Sequence, residues 1–376
     1  MLPLIVGLLV FISSLISIRI GIAVVIVEIF FGIILGNLGL RPEDWMLYIA
    51  NFGGIILTFL AGTEIDTGLL KEKFKQSFLI GFSSFIAPFV TGFLVAYFVA
   101  KWSFWASLVI GTAISCTSLA VIYAVLVETG MNKTKVGKLL MSATFITNLF
   151  TALALSVLFT KFNLYTFIFL AVSVLIIFLV DKFSLYILRN PVLFNKVIEP
   201  EIKFLLFILL AFVYFAKMGN SQAILPVFIL GMLMSRHFKD QRKTKIIQNR
   251  LKTVAYAVFI PIFGIVAGMR VSLFYIYSSL SLFILLFLVK VLSKFTGVYF
   301  FAKKYIPEGH MYVSLLMSTG LTFGLIAALF GFHEGLIDQS QYSLLIGVMT
   351  LSSIIPTFFA QKWFPLAEPV EEEDLL

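Results

Sequence analysis

GTAISCTS, residues 111–118, and MSTGLTFG, residues 317–324, decide the fold of this chain. Each lies inside an apolar run long enough to cross a membrane, and each gathers small and hydroxylic residues within that run. Such a segment can leave helix and present backbone groups to a cavity. Small residues also let spanning helices pack closely, which is the plainer reading of either segment alone. Close packing does not require the two to stand at matching places in the chain, and a count of spans puts them at matching places.

The setting is a polytopic membrane protein. Of 376 residues, 60% are hydrophobic and 12% charged, and the mean hydropathy is +1.05, which excludes an ordinary soluble domain. Apolar runs of about 18 to 25 residues recur, the length a helix needs to cross a hydrocarbon core of roughly 30 Å; barrel strands would be half as long. Loops placed by charges, Gly, Pro and Asn leave thirteen expected spans, at 2–18, 21–37, 46–63, 77–100, 103–127, 137–160, 164–188, 203–218, 221–235, 253–269, 273–301, 310–331 and 341–361. The first, in MLPLIVGLLVFISSLISIRIG, has no basic residue ahead of its apolar core and no small-residue cleavage pattern, so it reads as a span and not as a signal peptide. If spans 1 to 6 and 8 to 13 are two six-helix repeats joined by span 7, the two opening segments interrupt the fifth span of each. The offset of seven is odd, so the second repeat is inverted in the membrane. Broken helices at matching places in inverted repeats point to a midplane site.

The net charge of +9 finds its use in orientation and not in nucleic-acid binding. Of the 28 Lys and Arg residues, five (Arg41, Lys101, Lys161, Lys217 and Arg270) fall on one side, two (Lys290 and Lys294) fall within a span, and the remaining twenty-one fall on the other side. The rich side is expected in the cytoplasm, which puts the N-terminus outside and the C-terminus inside. The acidic stretch EPVEEEDLL, within 365–376, reads as a disordered tail.

Few residues in the spans carry chemistry. Lys290 and Lys294, in FLVKVLSKFTGVYFF, are four apart and share a helix face. A lysine near the bilayer centre costs about 2.5 to 3.5 kcal/mol on insertion scales, so the pair is a functional candidate, although Lys294 could instead snorkel to the surface. Glu28, in AVVIVEIFFGIILGN, is the one clear mid-span carboxylate, readable equally as a functional group or as a hydrogen-bonded packing residue. Glu64 and Asp66 stand at the inner end of span 3, facing water. Enzymatic constellations are missing: His237, His310 and His333 fall at span ends or in loops, no HExxH occurs, and Cys116 has no histidine near it. One cysteine also excludes an internal disulfide and any multi-cysteine metal site. No cofactor is expected. In SATFITNL, residues 142–149, Thr147 and Asn148 put a polar pair at about mid-depth, which calls for a partner or a purpose.

Taken together these stretches resemble the monovalent cation/proton antiporter superfamily, in its second, bacterial and archaeal branch. FFGIILGNLGL is similar to that branch's second span, FLAGTEID to its third, GTAISCTSLAVIYAVLVETG to its broken fifth, FGIVAGMRVSL to its tenth and SKFTGVYF to its lysine-containing eleventh. The resemblance covers nearly the whole chain. It implies two inverted repeats with crossed broken helices, and a single membrane domain working as a homodimer in the inner membrane. Spans 4 to 6 and 11 to 13 (77–160 and 273–361) would form a mobile core that carries Na+ or K+ against H+ by an elevator motion. The scaffold would be 1–76 and 203–272, with 161–202 as a linking helix.

The resemblance also locates a departure. The family's ion-binding carboxylate is an aspartate on the sixth span, and Asn148 stands at that position, preceded by Thr147. Asparagine has nearly the shape of a protonated aspartate and cannot lose a proton near neutral pH, so the chain as given resembles a transporter held in its proton-loaded state. Either an aspartate was deliberately replaced, or a natural member couples through another group, for which Glu28 is the nearest candidate. Thr117 and Ser118 match positions lining the site, with Ser115 and Thr319 on the same broken spans. Lys294 matches a lysine that pairs with an acid where Thr147 stands here. Thr322 stands where some members carry Glu. With one carboxylate fewer, the active form is expected to exchange one cation for one proton. Two other readings share the fold, a non-transporting sensor and a sodium-coupled symporter for an organic anion held by Lys290 and Lys294. A cysteine introduced in 239–245 is expected to label only from the cytoplasm; labelling from outside would overturn the orientation.

Overall fold

The computed structural model describes residues 2–20, 23–64, 73–129, 131, 134–158, 160, 164–189, 198–219, 221–239 and 242–366. Asp66 and most of the acidic tail (367–376) lie outside the described residues. The first half runs α1 (Leu2–Ile20), α2 (Val24–Asn37), α3 (Asp44–Thr63), α4 (Phe74–Leu94), α5 (Phe104–Ser115), α6 (Leu119–Glu128) and α7 (Lys135–Leu158). After α8 (Leu164–Arg189) come α9 (Pro200–Met218), α10 (Ile224–Lys239), α11 (Arg242–Val254), α12 (Ile260–Met269), α13 (Leu273–Ser278), α14 (Leu280–Tyr305), α15 (His310–Met317), α16 (Thr322–His333) and α17 (Gln339–Trp363).

Among the described residues all regular secondary structure is helical. Nine of these helices, taken with their direct continuations, are long and apolar enough to cross a membrane, and Val24–Asn37, Phe104–Ser115 and Ile224–Arg236 are apolar but shorter. Among the described residues, length and composition thus give nine full-length candidates and three shorter apolar helices, which leaves the expected count of thirteen unconfirmed.

Two boundaries differ from expectation for physical reasons. The segment RKTKIIQNRLKTV contains no Gly or Pro and turns Ile247 and Leu251 inward four residues apart, so helix begins at Arg242 and continues through a π-helical turn (Ala255–Phe259) into α12. The eleventh span, expected as one helix, is interrupted at Ser279 (φ −120°, ψ 35°). There the Ser278 hydroxyl bonds the Tyr275 carbonyl at 3.2 Å, a side chain competing with the helix for its own backbone.

The chain forms two compact units, Met1–Thr67 with Ala152–Val271, and Gly68–Thr151 with Ser272–Leu376. In the first, α2 crosses α12 and α3 crosses α10. A Cβ added at Gly32 would lie 2.9 Å from the Gly268 Cα and closer still to the Ile265 carbonyl. A Cβ at Gly62 would likewise lie 2.9 Å from the Gly231 Cα. Both crossings thus bring backbone against backbone, as small residues permit between spanning helices. An offset of seven spans exchanges α2 with α10 and α12 with α3, so one contact is made twice, as inverted repeats require. In the second unit α4 packs on α14, and α5 on α4 as α15 on α14, again pairs that the same exchange relates.

At the cytoplasm-facing end expected from the charges, α11 ties the first unit together. Gln248 Nε2 donates to the Thr63 carbonyl (3.3 Å) and hydroxyl (3.1 Å), Lys252 pairs with Glu64, and Arg250 pairs with Glu199 at 2.9 Å. The ion pairs are part-exposed, so each contributes no more than about 1 kcal/mol.

Overpacking a close crossing costs about 1 to 3 kcal/mol. Gly268→Ala is therefore expected to lower the melting temperature by about 5 °C. Gly7→Ala, with nothing within 4 Å of the added carbon, should leave it unchanged or raise it. Equal melting temperatures for the two variants would contradict the backbone contact.

Candidate functional site

The first break follows from the sequence ISCTSL. Helix α5 stops at Ser115, Cys116 is extended (φ −64°, ψ 153°), and α6 restarts at Leu119, with the Ser118 hydroxyl accepting from the Val121 amide at 3.4 Å. A helix that stops leaves carbonyls without amide partners. Two lysines one helical turn apart on α14 supply donors: Lys290 Nζ to the Ile114 carbonyl at 3.0 Å, and Lys294 Nζ to the Ser115 carbonyl at 2.5 Å and the Ser84 carbonyl at 3.1 Å. Lysine N–H donors thus meet the carbonyl end of a half-helix, where the helix dipole favours a basic side chain. Both lysines are fully buried, so Lys294 does not snorkel to the surface.

The second break is held differently. Helix α15 ends at Met317, the Ser318 hydroxyl turns back to the Ser314 carbonyl (2.8 Å), and the Thr319 hydroxyl to the Leu316 carbonyl (2.7 Å). The Gly320 carbonyl accepts from the hydroxyls of Ser353 (3.1 Å) and Ser352 (3.3 Å) on α17. The two breaks touch. Thr117 Oγ1 donates to the Met317 carbonyl at 3.3 Å, and a Cβ at Gly320 would meet Lys290 Nζ and lie 2.6 Å from the Cys116 carbonyl. Only glycine admits that approach.

The polar pair on α7 faces this crossing. Asn148 Oδ1 accepts from the Thr117 amide at 3.3 Å, and Thr147 Oγ1 donates to the Gly81 carbonyl (3.0 Å) or to Ala143 in its own helix (3.1 Å). Asn148 thus has its partner in the backbone of the first break, and Thr147 in the backbone of α4 or of its own helix. Ser115, Thr117, Ser118, Thr147, Asn148, Lys290, Lys294 and Thr319 are buried together in the second unit. Thr322 is half-buried at the start of α16. Glu28 belongs to the first unit, where it is fully buried against Gly264 and neither carboxyl oxygen has a hydrogen-bond partner among the described residues.

Lys294 bonds the carbonyls of Ser84 and Ser115, and the Thr147 hydroxyl bonds Gly81 or Ala143, so backbone oxygens take up Lys294 where Thr147 offers it no counterion. Sequence reasoning missed the acceptors Ser84, Gly81 and Ile114 and the donors Ser352 and Ser353. The serine pairs 83–84 and 352–353, each inside an apolar span, are the signal that could have flagged them. Chemically, the crossing is a cluster of backbone and hydroxyl oxygens around an amide side chain that neither gives up nor takes a proton near neutral pH. No group of three or more His, Cys, Asp or Glu that could hold a metal occurs among the described residues.

Known proteins resemble this chain over most of its length. The profile of the sodium/hydrogen exchanger, transmembrane, family matches residues 6–362. The chain is 29% identical over 350 residues to the probable Na(+)/H(+) antiporter 3 of Methanocaldococcus jannaschii, covering 89% of this chain and 88% of that one. It is 29% identical over 371 residues to the Na(+)/H(+) antiporter of Enterococcus hirae, covering 92% of each. The Na(+)/H(+)-K(+) antiporter GerN of Bacillus cereus is 25% identical over 90% of this chain and 89% of its own. The solved structure of the sodium proton antiporter MjNhaP1 from Methanocaldococcus jannaschii superposes with a TM-score of 0.69, covering 96% of this chain and 98% of that one at 16% identity, a likeness of fold. This multi-pass membrane protein belongs to the sodium/hydrogen exchanger family.

Proposed function

We propose that the chain is built to exchange Na+ or K+ for H+ across the inner membrane, with the ion site at position 148 where the two helix breaks cross. The observation that carries this reading is the hydrogen bond from the Thr117 amide to Asn148 Oδ1, which aims the backbone of the first break at the side-chain oxygen where a carboxylate would hold an ion. The names of the relatives supply the ion classes, sodium in all three and potassium in one. In this reading the second unit is the transport part, moving as an elevator past a scaffold made of the first unit in a homodimer. The N-terminus faces outward and the C-terminus the cytoplasm.

Exchange needs a group that binds either a proton or a cation. A carboxylate does both, and an amide at the same place does neither. The chain as given is therefore inactive or strongly impaired. With Thr147 and Thr322 at the other positions where relatives of this branch carry acids, restoring one carboxylate gives a single titrating site and one-for-one, electroneutral exchange.

Reconstituted into liposomes with an internal pH dye, the protein as given is expected to show little or no cation-driven proton movement. Asn148→Asp should restore it, with sodium and potassium tested separately. Robust exchange by the Asn148 form would move the proton carrier elsewhere, Glu28 first, and silence from Asn148→Asp would favour a sensor.

Lys294 provides a second test. Lys294→Ala in the Asn148→Asp background leaves the carbonyls of Ser84 and Ser115 without their donor, at a cost of about 1 to 3 kcal/mol for each buried unpaired group. A melting temperature lowered by several degrees and a changed cation affinity are expected; an unchanged melting temperature and pH profile would remove Lys294 from the site.

A further inference from the structure

The seam between α2 and α12 carries one residue unlike the rest. Glu28, Gly32 and Gly36 follow one another at intervals of four on α2, and Gly264 and Gly268 do so on α12. At Gly32 and Gly36 the helices meet backbone to backbone, where an added Cβ would lie 2.9 Å from the Gly268 Cα and 2.9 Å from the Met269 Cα respectively. At the remaining place a carboxyl stands where the pattern has glycine. It fits because Gly264 opposite has no side chain; a Cβ there would lie 3.0 Å from the Glu28 Cβ and 3.1 Å from its Oε2.

Glu28 is fully buried in this seam, and among the described residues neither of its oxygens has a hydrogen-bond partner. Counter-charge is missing as well. Helix α2 carries no other ionisable side chain, α12 carries none from Ile260 to Met269, and α1 brings only Arg19, which is exposed. Arg270 follows the far end of α12, about 9 Å of helix beyond Gly264. The π-helical turn before α12 adds Tyr256, within electrostatic reach of Glu28 and of Glu64, and Glu64 already pairs with Lys252. None of these groups gives Glu28 a positive partner.

An ionised carboxylate so placed would have neither donor nor counterion, and a buried group in that position gives up its charge. A cation would call for further oxygen ligands, and the face of Glu28 toward α12 is taken by Gly264. A proton needs neither room nor other ligands. We infer that Glu28 is a proton-binding site of the first unit: the seam closes on the neutral acid, and where the seam opens the O–H bond breaks, the proton passes to water and a hydrated carboxylate remains. This site is separate from position 148. The inference rests on the seam and not on the transport reading.

Infrared spectroscopy of the full chain at neutral pH reads the proton directly, because a neutral acid has a carbonyl stretch that a carboxylate lacks. Glu28→Gln should remove a neutral-acid band, and Glu28→Asp, which keeps the acid, should retain it. A closed seam that holds a proton released on opening binds more protons folded than unfolded, so its stabilisation is present at about pH 6 and is lost toward about pH 9. Over that range the melting temperature of the chain as given should fall by about 3 °C more than that of Glu28→Gln. An unchanged neutral-acid band in Glu28→Gln, or loss of a carboxylate band in its place, would overturn the inference, and so would equal falls in melting temperature. Stabilisation by sodium that disappears in Glu28→Gln would assign the site to a cation and overturn it too. Restored exchange by Asn148→Asp liposomes without the Glu28 band would leave the transport reading standing and this one refuted; the band without exchange would do the reverse.

Discussion

A helix that stops inside a membrane leaves carbonyl groups that water cannot reach, and in hydrocarbon each must find a donor or forfeit several kcal/mol. The ending of α5 at Ser115 is such a place, and its solution organises the second unit. Lys290 and Lys294 reach the Ile114 and Ser115 carbonyls only because α14 lies against α4 and α5. That position also brings Lys294 to Ser84 on α4. Gly320 in the opposite break must then be glycine, because Lys290 and the Cys116 carbonyl occupy the space a side chain would need. The lysines are thus structural donors to one break and steric walls for the other.

Within that frame, position 148 has a defined neighbour. The Thr117 amide is the break's own donor, and it is spent on the side-chain oxygen of residue 148. Carboxylate and amide side chains both offer an oxygen to that amide, so Asn148 can make the contact an aspartate would make. What the amide removes is the negative charge, and the transport proposal follows from that single loss. The first unit rests on a different principle: backbone-to-backbone crossings at Gly32 with Gly268 and Gly62 with Gly231 fix its helices by contact and not by charge.

Much of this is legible in the residues. Small, hydroxylic stretches at 111–118 and 317–324 mark the breaks because a spanning helix has no other reason to place them at matching positions, and the breaks fall at 116–118 and 318–321. The lysine pair on one face of the eleventh span is legible for the same reason, since a membrane tolerates such residues only with partners. The identity of those partners is not legible. Ile114, Ser115, Ser84 and Gly81 contribute backbone carbonyls, and a carbonyl carries no residue code; only the distant crossing of α4, α5 and α14 makes them acceptors. The helix from Arg242 is hard to read from the residues because its charges dominate, while Ile247 and Leu251, four apart and inward-facing, carry the weaker helical signal. Thr147 shows the same limit, for its hydroxyl goes to Gly81, 66 residues away in sequence.

The central claim is that the crossing holds an ion through the charge state of residue 148. It is tested most directly by measuring how sodium or potassium changes the melting temperature over a pH series, with the chain as given beside Asn148→Asp. Cation stabilisation of Asn148→Asp should be present at alkaline pH and fade as protons compete for the restored carboxylate, while any cation effect on the Asn148 chain should be the same at every pH. A cation stabilisation of the Asn148 chain that itself grows as the pH rises would contradict the account, because it would show proton and cation exchanging at a group other than residue 148.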